Sequence, residues 1–557
     1  MAAPPQKTFL RQPSWVAAIL ITAFVVWLHF FFLIHAGGLW RDEINLVNLA
    51  GRHSLAEMQK DSFPVLMPLL VSGWSGIGLG QSDLGLRFLG TLVGLGTVAA
   101  LWASAWTARR PPLISLALFA LNYMVIIYGD SLRGYGLGCL FIVLTTGAAW
   151  AFLKKPAWTR TAVFAAMAIL SVQALYQNAV LFAAICFGAW TVCWQRKDFP
   201  AAVKILWVSL AAAISLLPYW KNISGLPAAA VSERTGFSPA LVFDNFAAVL
   251  ALPKPAYLYV WGFLALIIVG LGGQSWCAHF SKPRAFAGEA PTEGLPLFAG
   301  ATLLAALAGF AGFLWFAAVP TQAWYFLPPI ALAAACFDLG LLLPSLHRYC
   351  RAAIYVLMAA TVLIAVPFAH QHLNVRFTNV DLLARQLAVE ASPQDFIVVS
   401  PWYCGLSFER YFKGATPWQT LPPLADHSTH RYDLFQEKMK MPHPLQPILD
   451  QIAATLQGGH RVWVVGWMGI PEPGVPPPDD LPPPPLKSSG WSDIPYFMVW
   501  TEQTAWFLEN HSLSFACLES ETNNNVIYHE HLNRFMASGW KDSSPPVSTP
   551  DSKTNQP

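Results

Sequence analysis

Over its first two-thirds the chain alternates long apolar runs with short polar stretches. About 20 consecutive apolar residues cross the hydrocarbon of a bilayer as a helix. That rule predicts about eleven spans, at 15–36, 84–107, 112–128, 134–153, 161–176, 178–194, 205–219, 256–273, 295–317, 326–344 and 352–369. The first run is too long for a signal-peptide core and reads as an uncleaved helix. Between the first two spans, Ile44–Lys60 has the mixed pattern of an amphipathic helix. The glycine-punctuated run Val65–Leu79 is short for a span and is expected to lie at the interface or dip into it.

Charge adds an orientation. Alternate loops carry Arg109-Arg110, Lys154-Lys155 with Arg160, Arg196-Lys197, Lys282 with Arg284, and His347-Arg348 with Arg351. Lys7 and Arg11 at the N-terminus join the same set. Basic loops stay in the cytoplasm, so the N-terminus is expected inside and the C-terminus outside. The long loops 37–83 and 220–255 are then extracytoplasmic. The second contains Asn222-Ile223-Ser224, a common glycosylation triplet of little weight.

Past residue 371 the pattern changes. Asp381–Glu390 and Leu445–Leu456 read as helices, and Phe396–Ser400 and Val462–Val465 as buried strands. Strand, helix and strand predict an α/β domain. The expected fold is therefore an α-helical polytopic membrane domain over 1–371, a soluble extracytoplasmic α/β domain over 372–540, and a tail over 541–557. That tail has nothing to bury and is expected to be disordered. The proline-rich segment 471–486 is expected to be an extended loop.

Composition agrees. Of 557 residues, 55% are hydrophobic and 12% charged, against roughly 25% charged in soluble domains. A net charge of +3 with no basic tract points away from nucleic acid. The eight cysteines form no C-x-x-C pair. Cys404 and Cys517 leave a disulfide open in an extracytoplasmic domain.

Polar residues suited to chemistry gather on the outer side. Trp40-Arg41-Asp42-Glu43 follows the first span, and Asp61-Ser62-Phe63-Pro64 lies about twenty residues on. Tyr128-Gly129-Asp130-Ser131-Leu132-Arg133-Gly134-Tyr135 joins the third and fourth spans. Gln322-Ala323-Trp324-Tyr325-Phe326-Leu327-Pro328 opens the tenth. Adjacent carboxylates repel each other unless a cation or a substrate uses them. A structural alternative stands beside each: Asp42 with Arg41 as a helix-capping pair, Arg133 reaching headgroups, Asp61 as an N-cap, and Trp324 and Tyr325 as interface anchors.

In order and spacing, these segments resemble the membrane glycosyltransferases of the GT-C type, especially the bacterial branch related to protein O-mannosyltransferases and aminoarabinose transferases. The resemblance covers roughly residues 15–345. It rests on an acidic pair after the first span, a D-x-H-P-P-like segment, Leu86-Arg87-Phe88 starting the second span, Arg133-Gly134-Tyr135 opening the fourth, and Tyr325-Phe326-Leu327-Pro328. It implies transfer, with inversion, of a sugar from a polyprenyl-phosphate donor to an acceptor hydroxyl at the outer face of a cell inner membrane. Asp42 is then the general base and Glu43 orients the site. Arg133 clasps the lipid phosphate, and Arg41, Asp61, Asp130, Tyr135, Trp324 and Tyr325 contact substrate. The acceptor is unknown: protein, lipid or glycan.

The chain also departs from the family pattern. Asp61-Ser62-Phe63-Pro64-Val65 lacks the histidine and second proline. The acid before Arg133 is Asp130, with Ser131 in the usual place, and Tyr176-Gln177-Asn178 stands where members carry a histidine-tyrosine pair. No cofactor is certain. Without those histidines, a divalent cation would rest on oxygens such as those of Asp42 and Asp130, which suit Mg, Mn or Ca and not Zn. The alternatives weighed are a transporter or flippase of lipid-linked sugars and a catalytically idle envelope scaffold. The first would place charges at midplane and show repeats, and neither is apparent.

Overall fold

The computed structural model describes residues 13–59, 63–220, 237–281, 294–317, 321–341, 346–472, 475–477, 493–518 and 525–541. Asp61, the glycosylation triplet, most of the proline-rich segment and the tail beyond residue 541 lie outside them. The described residues form two compact units. The first takes 13–37 and 45–376, and the second takes 38–44 and those after 376. The chain thus passes into the second unit for seven residues directly after its first span.

Among the described residues, nine helices are long and apolar enough to cross a membrane. They are Pro13–His35, Asp83–Thr107, Gly134–Lys154, Asn178–Arg196, Phe199–Tyr219, Tyr257–Ala278, Leu295–Ala317, Ala323–Gly340 and Arg348–Leu373. Each coincides with an expected span, and the arrangement is that of a multi-pass membrane protein. The other two expected spans differ. Residues 161–176 fall on Trp158–Ala174, a helix of 17 residues.

Residues 112–128 are broken into Leu113–Ser115, a π-helical turn Leu116–Ala120, and Tyr123–Gly129. Asn122 makes the break stable. Its side chain accepts from the Met124 N–H and donates to the Val249 carbonyl at 2.9 Å. At the other end, the Asp338 carboxylate accepts from the Ile114 and Ser115 N–H groups at 2.9 and 3.3 Å. Backbone groups freed in an apolar interior need such partners.

Three stretches between spans are also helical. Val65–Leu79 yields Leu66–Gly76, eleven residues and too short to span. Ile44–Lys60 yields the end of Arg41–Gly51 and the short Leu55–Met58. The loop 220–255 contains the apolar helix Pro239–Leu250, which its sequence did not suggest. Trp150, Phe152, Phe164 and Phe298 are fully buried. Between helices in lipid, such packing and its dispersion attraction supply what water exclusion supplies elsewhere.

The second unit is a five-stranded sheet of β1 (Phe396–Ser400), β2 (Trp418–Thr420), β3 (Val462–Gly466), β4 (Ser512–Leu518) and β5 (Asn533–Trp540), in the order β2-β1-β3-β5-β4. β1 runs parallel to β2 and β3, while β5 is antiparallel to β3 and β4. β1 and β3 are buried along their whole length, as central parallel strands covered on both faces must be. The expected helices are present as Val380–Glu390 and Gln446–Gln457.

Asp395 ties the starts of the two central strands together. It accepts from the Ser392 and Arg461 N–H groups and from the Trp463 indole. Burial works against its charge, but these donors hold the carboxyl below its usual range. Trp463 is therefore part of the buried core. Cys404 is buried and Cys517 exposed, and both are free thiols, so the disulfide left open by the sequence does not form.

Candidate functional site

The acidic pair begins a helix, and the two carboxylates have different fates. Trp40 precedes Arg41–Gly51, so Arg41, Asp42 and Glu43 form its first turn, where negative charge is favoured. Glu43 is fully buried and reaches back to accept from the Trp40 N–H at 3.3 Å. That is the glutamate half of a capping box. Asp42 keeps 27% of its side chain exposed. Its Oδ1 lies 3.8 Å from Arg41 Nε and 3.3 Å from His430 Nε2. Of the pair, Asp42 is the carboxylate open to solvent.

The second unit builds a dense polar shell around this turn. The Arg41 guanidinium lies over the Tyr403 ring at 4.3 Å and donates to the His529 carbonyl at 2.8 Å. The Arg41 N–H points at both oxygens of Glu530, each at 3.3 Å. Glu530 also accepts from the Ser407 hydroxyl at 2.7 Å, and the Leu39 N–H donates to the Tyr411 hydroxyl at 2.6 Å. Burial pushes the Glu530 carboxyl up to about 7, against the pull of Arg41 and the hydroxyls of Ser407 and Thr378. Burial pushes His529 down to about 4, and the Arg41 charge adds to the effect.

A second cluster lies in the helical unit. Arg133 is the N-cap of Gly134–Lys154 and is largely buried. Its guanidinium carbon sits 4.4 Å from the centre of the Phe63 ring. Phe63 meets Tyr135 edge-on at 5.3 Å, and Tyr135 stacks with Tyr325 at 6.0 Å. Trp324 lies 4.7 Å from Tyr128, and the Gln177 amide donates to the Tyr325 carbonyl at 2.8 Å. Segments near residues 63, 133, 177 and 325 therefore converge. An arginine at a helix N-terminus adds its charge to the positive end of the helix dipole, a combination that favours an anion.

Asp130 is engaged inside the bundle. Both its oxygens lie within hydrogen-bonding distance of His29 Nδ1, at 2.9 and 2.8 Å, and both side chains are buried. Gly90 lets this turn approach the Asp83–Thr107 helix, since a Cβ there would sit 1.9 Å from the Asp130 carbonyl oxygen. Arg87, next along that helix, donates to the Gly37 carbonyl at 2.8 Å. Gly37 turns with φ +68°, where a side chain would be strained and would meet Arg376.

No protein-family model and no curated protein matches this sequence. The chain is similar to the crystal structure of ArnT from Cupriavidus metallidurans bound to undecaprenyl phosphate. That likeness covers 81% of this chain and 92% of that chain, at 14% identity and a TM-score of 0.43.

Of the expected site residues, Arg41, Asp42 and Glu43 share one shell, and Arg133, Tyr135, Trp324 and Tyr325 belong to the other cluster. Among the described residues, no group of three or more His, Cys, Asp and Glu could hold a metal. Asp42, considered for a divalent cation, lies beside Arg41 and His430, and Asp130 lies beside His29. Sequence reasoning missed His29, Ser407, His430, His529 and Glu530. Only His29 left a signal: a lone polar side chain in an apolar span requires a buried partner.

Proposed function

We propose that the chain is a GT-C type glycosyltransferase that moves a sugar from a polyprenyl-phosphate donor to an acceptor hydroxyl at the extracytoplasmic face of a cell inner membrane. The observation that supports this reading best is the convergence on Arg133. Phe63, Tyr135 and Tyr325 come from three of the five family-like segments and form a continuous run of rings that begins against Arg133 at a helix N-terminus. An aromatic wall with a forked cation suits a prenyl chain ending in phosphate.

In this reading Asp42 takes the proton of the acceptor hydroxyl as that oxygen attacks the anomeric carbon. The bond from the anomeric carbon to the phosphate oxygen breaks, and the configuration inverts. Arg133 stabilises the negative charge left on the lipid phosphate. Glu43 fixes the helix that carries the base. A divalent cation remains outside this scheme.

The test compares purified wild type with Asp42→Asn, using radiolabelled polyprenyl-phosphate sugars and envelope extract. Wild type is expected to transfer label from at least one donor, and a folded Asp42→Asn to transfer none. Equal transfer by both proteins moves the base away from Asp42. No transfer by either across a broad panel overturns the enzyme reading in favour of a transporter or scaffold.

A further inference from the structure

The buried carboxylate of Glu530 has no part in the scheme above, yet it faces the turn that carries the base. It is fully buried and lies 489 residues from its partner Arg41. Its oxygens accept the first N–H of the Arg41–Gly51 helix and the Ser407 hydroxyl. Glu530 is itself held firmly. It ends the short Tyr528–Glu530 turn, and two residues later the Leu532 backbone exchanges hydrogen bonds of 2.9 and 2.8 Å with the Asn379 side chain. A helix start is satisfied either by its own cap or by an outside acceptor. Here Glu43 serves the Trp40 N–H and Glu530 serves the Arg41 N–H.

We propose that Glu530 is a positioning residue that clamps the first turn of the Arg41–Gly51 helix, so that the C-terminal unit sets where Asp42 points. This rests on the reading of Asp42 as the base. Groups facing Glu530 are Arg41 from the clamped helix, Ser407 from Gly405–Tyr411, Tyr403 and Cys404 from the turn before it, Thr378, and its neighbour His529. Burial raises the Glu530 carboxyl to about 7, so the buried clamping position is favoured by the protonated acid and the clamp loosens as pH rises through 7.

Amide exchange of the 38–44 peptide in the full-length protein reads the clamp without any need for activity. Glu530→Ala is expected to speed exchange there about tenfold, the worth of a hydrogen bond to a charged group. Glu530→Gln keeps an acceptor and is expected to restore part of the protection, which also covers the case of a poorly folded alanine variant. In transfer assays, both variants are expected to lower kcat with little change in the donor KM. Wild-type transfer should fall as pH rises through 7, and Glu530→Gln should lose that step. Unchanged exchange in both variants overturns the proposal, even if transfer falls. Faster exchange with no transfer by wild type leaves the clamp standing and overturns the enzyme reading instead.

Discussion

In the helical unit Asp130 and His29 bury each other's polar atoms within hydrocarbon-like packing. In the sheet unit Asp42 stays partly exposed while its neighbours Glu43 and Glu530 are buried. Both regions hold a carboxylate next to a histidine. A closed, buried pair suits a structural role, because burying either group alone costs far more than burying the two together. An open carboxylate on a turn whose backbone N–H groups are taken by Glu43 and Glu530 is held in place yet free to take a proton. In the proposed reading, exposure, and not residue type, separates the structural acid from the chemical one.

The largest effect that can break this contrast is on turnover. Removing a general base costs about 10²–10⁴ in rate, so Asp42→Asn should abolish transfer at that scale while leaving the melting temperature in detergent unchanged. Asp130→Ala should do the reverse. Leaving His29 buried without its partner costs about 3 kcal/mol, read as a lower melting temperature. If Asp130→Ala instead stops transfer in a protein as stable as wild type, the contrast is wrong.

A smaller effect concerns Arg133. Loss of its charged hydrogen bonds should weaken binding of a polyprenyl phosphate about ten- to hundredfold in Arg133→Ala. Arg133→Lys should recover only part of that, because lysine keeps the charge but not the fork. Equal binding by all three proteins, measured by calorimetry or displacement, would remove the phosphate role.

The contrast also explains what could be read from the chain. Spans were legible because hydrophobicity is a local property, and the Arg133-Gly134-Tyr135 and Tyr325 segments because they are short and contiguous. The break at Asn122 was not, since its flanks are as apolar as any span and its partner Val249 lies 127 residues on. β1 and β3 announced themselves as buried β-branched runs. β2 has three residues and β4 is largely exposed, so neither carries such a run. Around Asp42 the missing information is entirely long-range, since Glu530, His529, Ser407 and His430 come from distant segments without any local motif.

The smallest expected effect is the pH dependence of the sheet unit, where the buried groups pull in opposite directions. His427 and His529 are pushed by burial from the ordinary 6.5 down to about 4. The unfolded chain then binds more protons than the folded one as pH falls, so their contribution is whole above pH 6.5 and is lost toward pH 4. Glu530 is raised from 4.5 to about 7. The folded chain binds the extra proton in that window, so its contribution is present below pH 4.5 and is lost as pH rises through 7. Glu409 and Asp493 are also raised, mainly by burial, and act with Glu530. Differences between variants isolate each group. Relative to wild type, His529→Gln should lose less stability between pH 6.5 and 4.5, and Glu530→Gln should lose less between pH 5 and 7. Thermal unfolding of the full-length protein at stepped pH reads both slopes. Parallel curves for the two variants would mean that these groups are not held in the protonation states that their burial imposes.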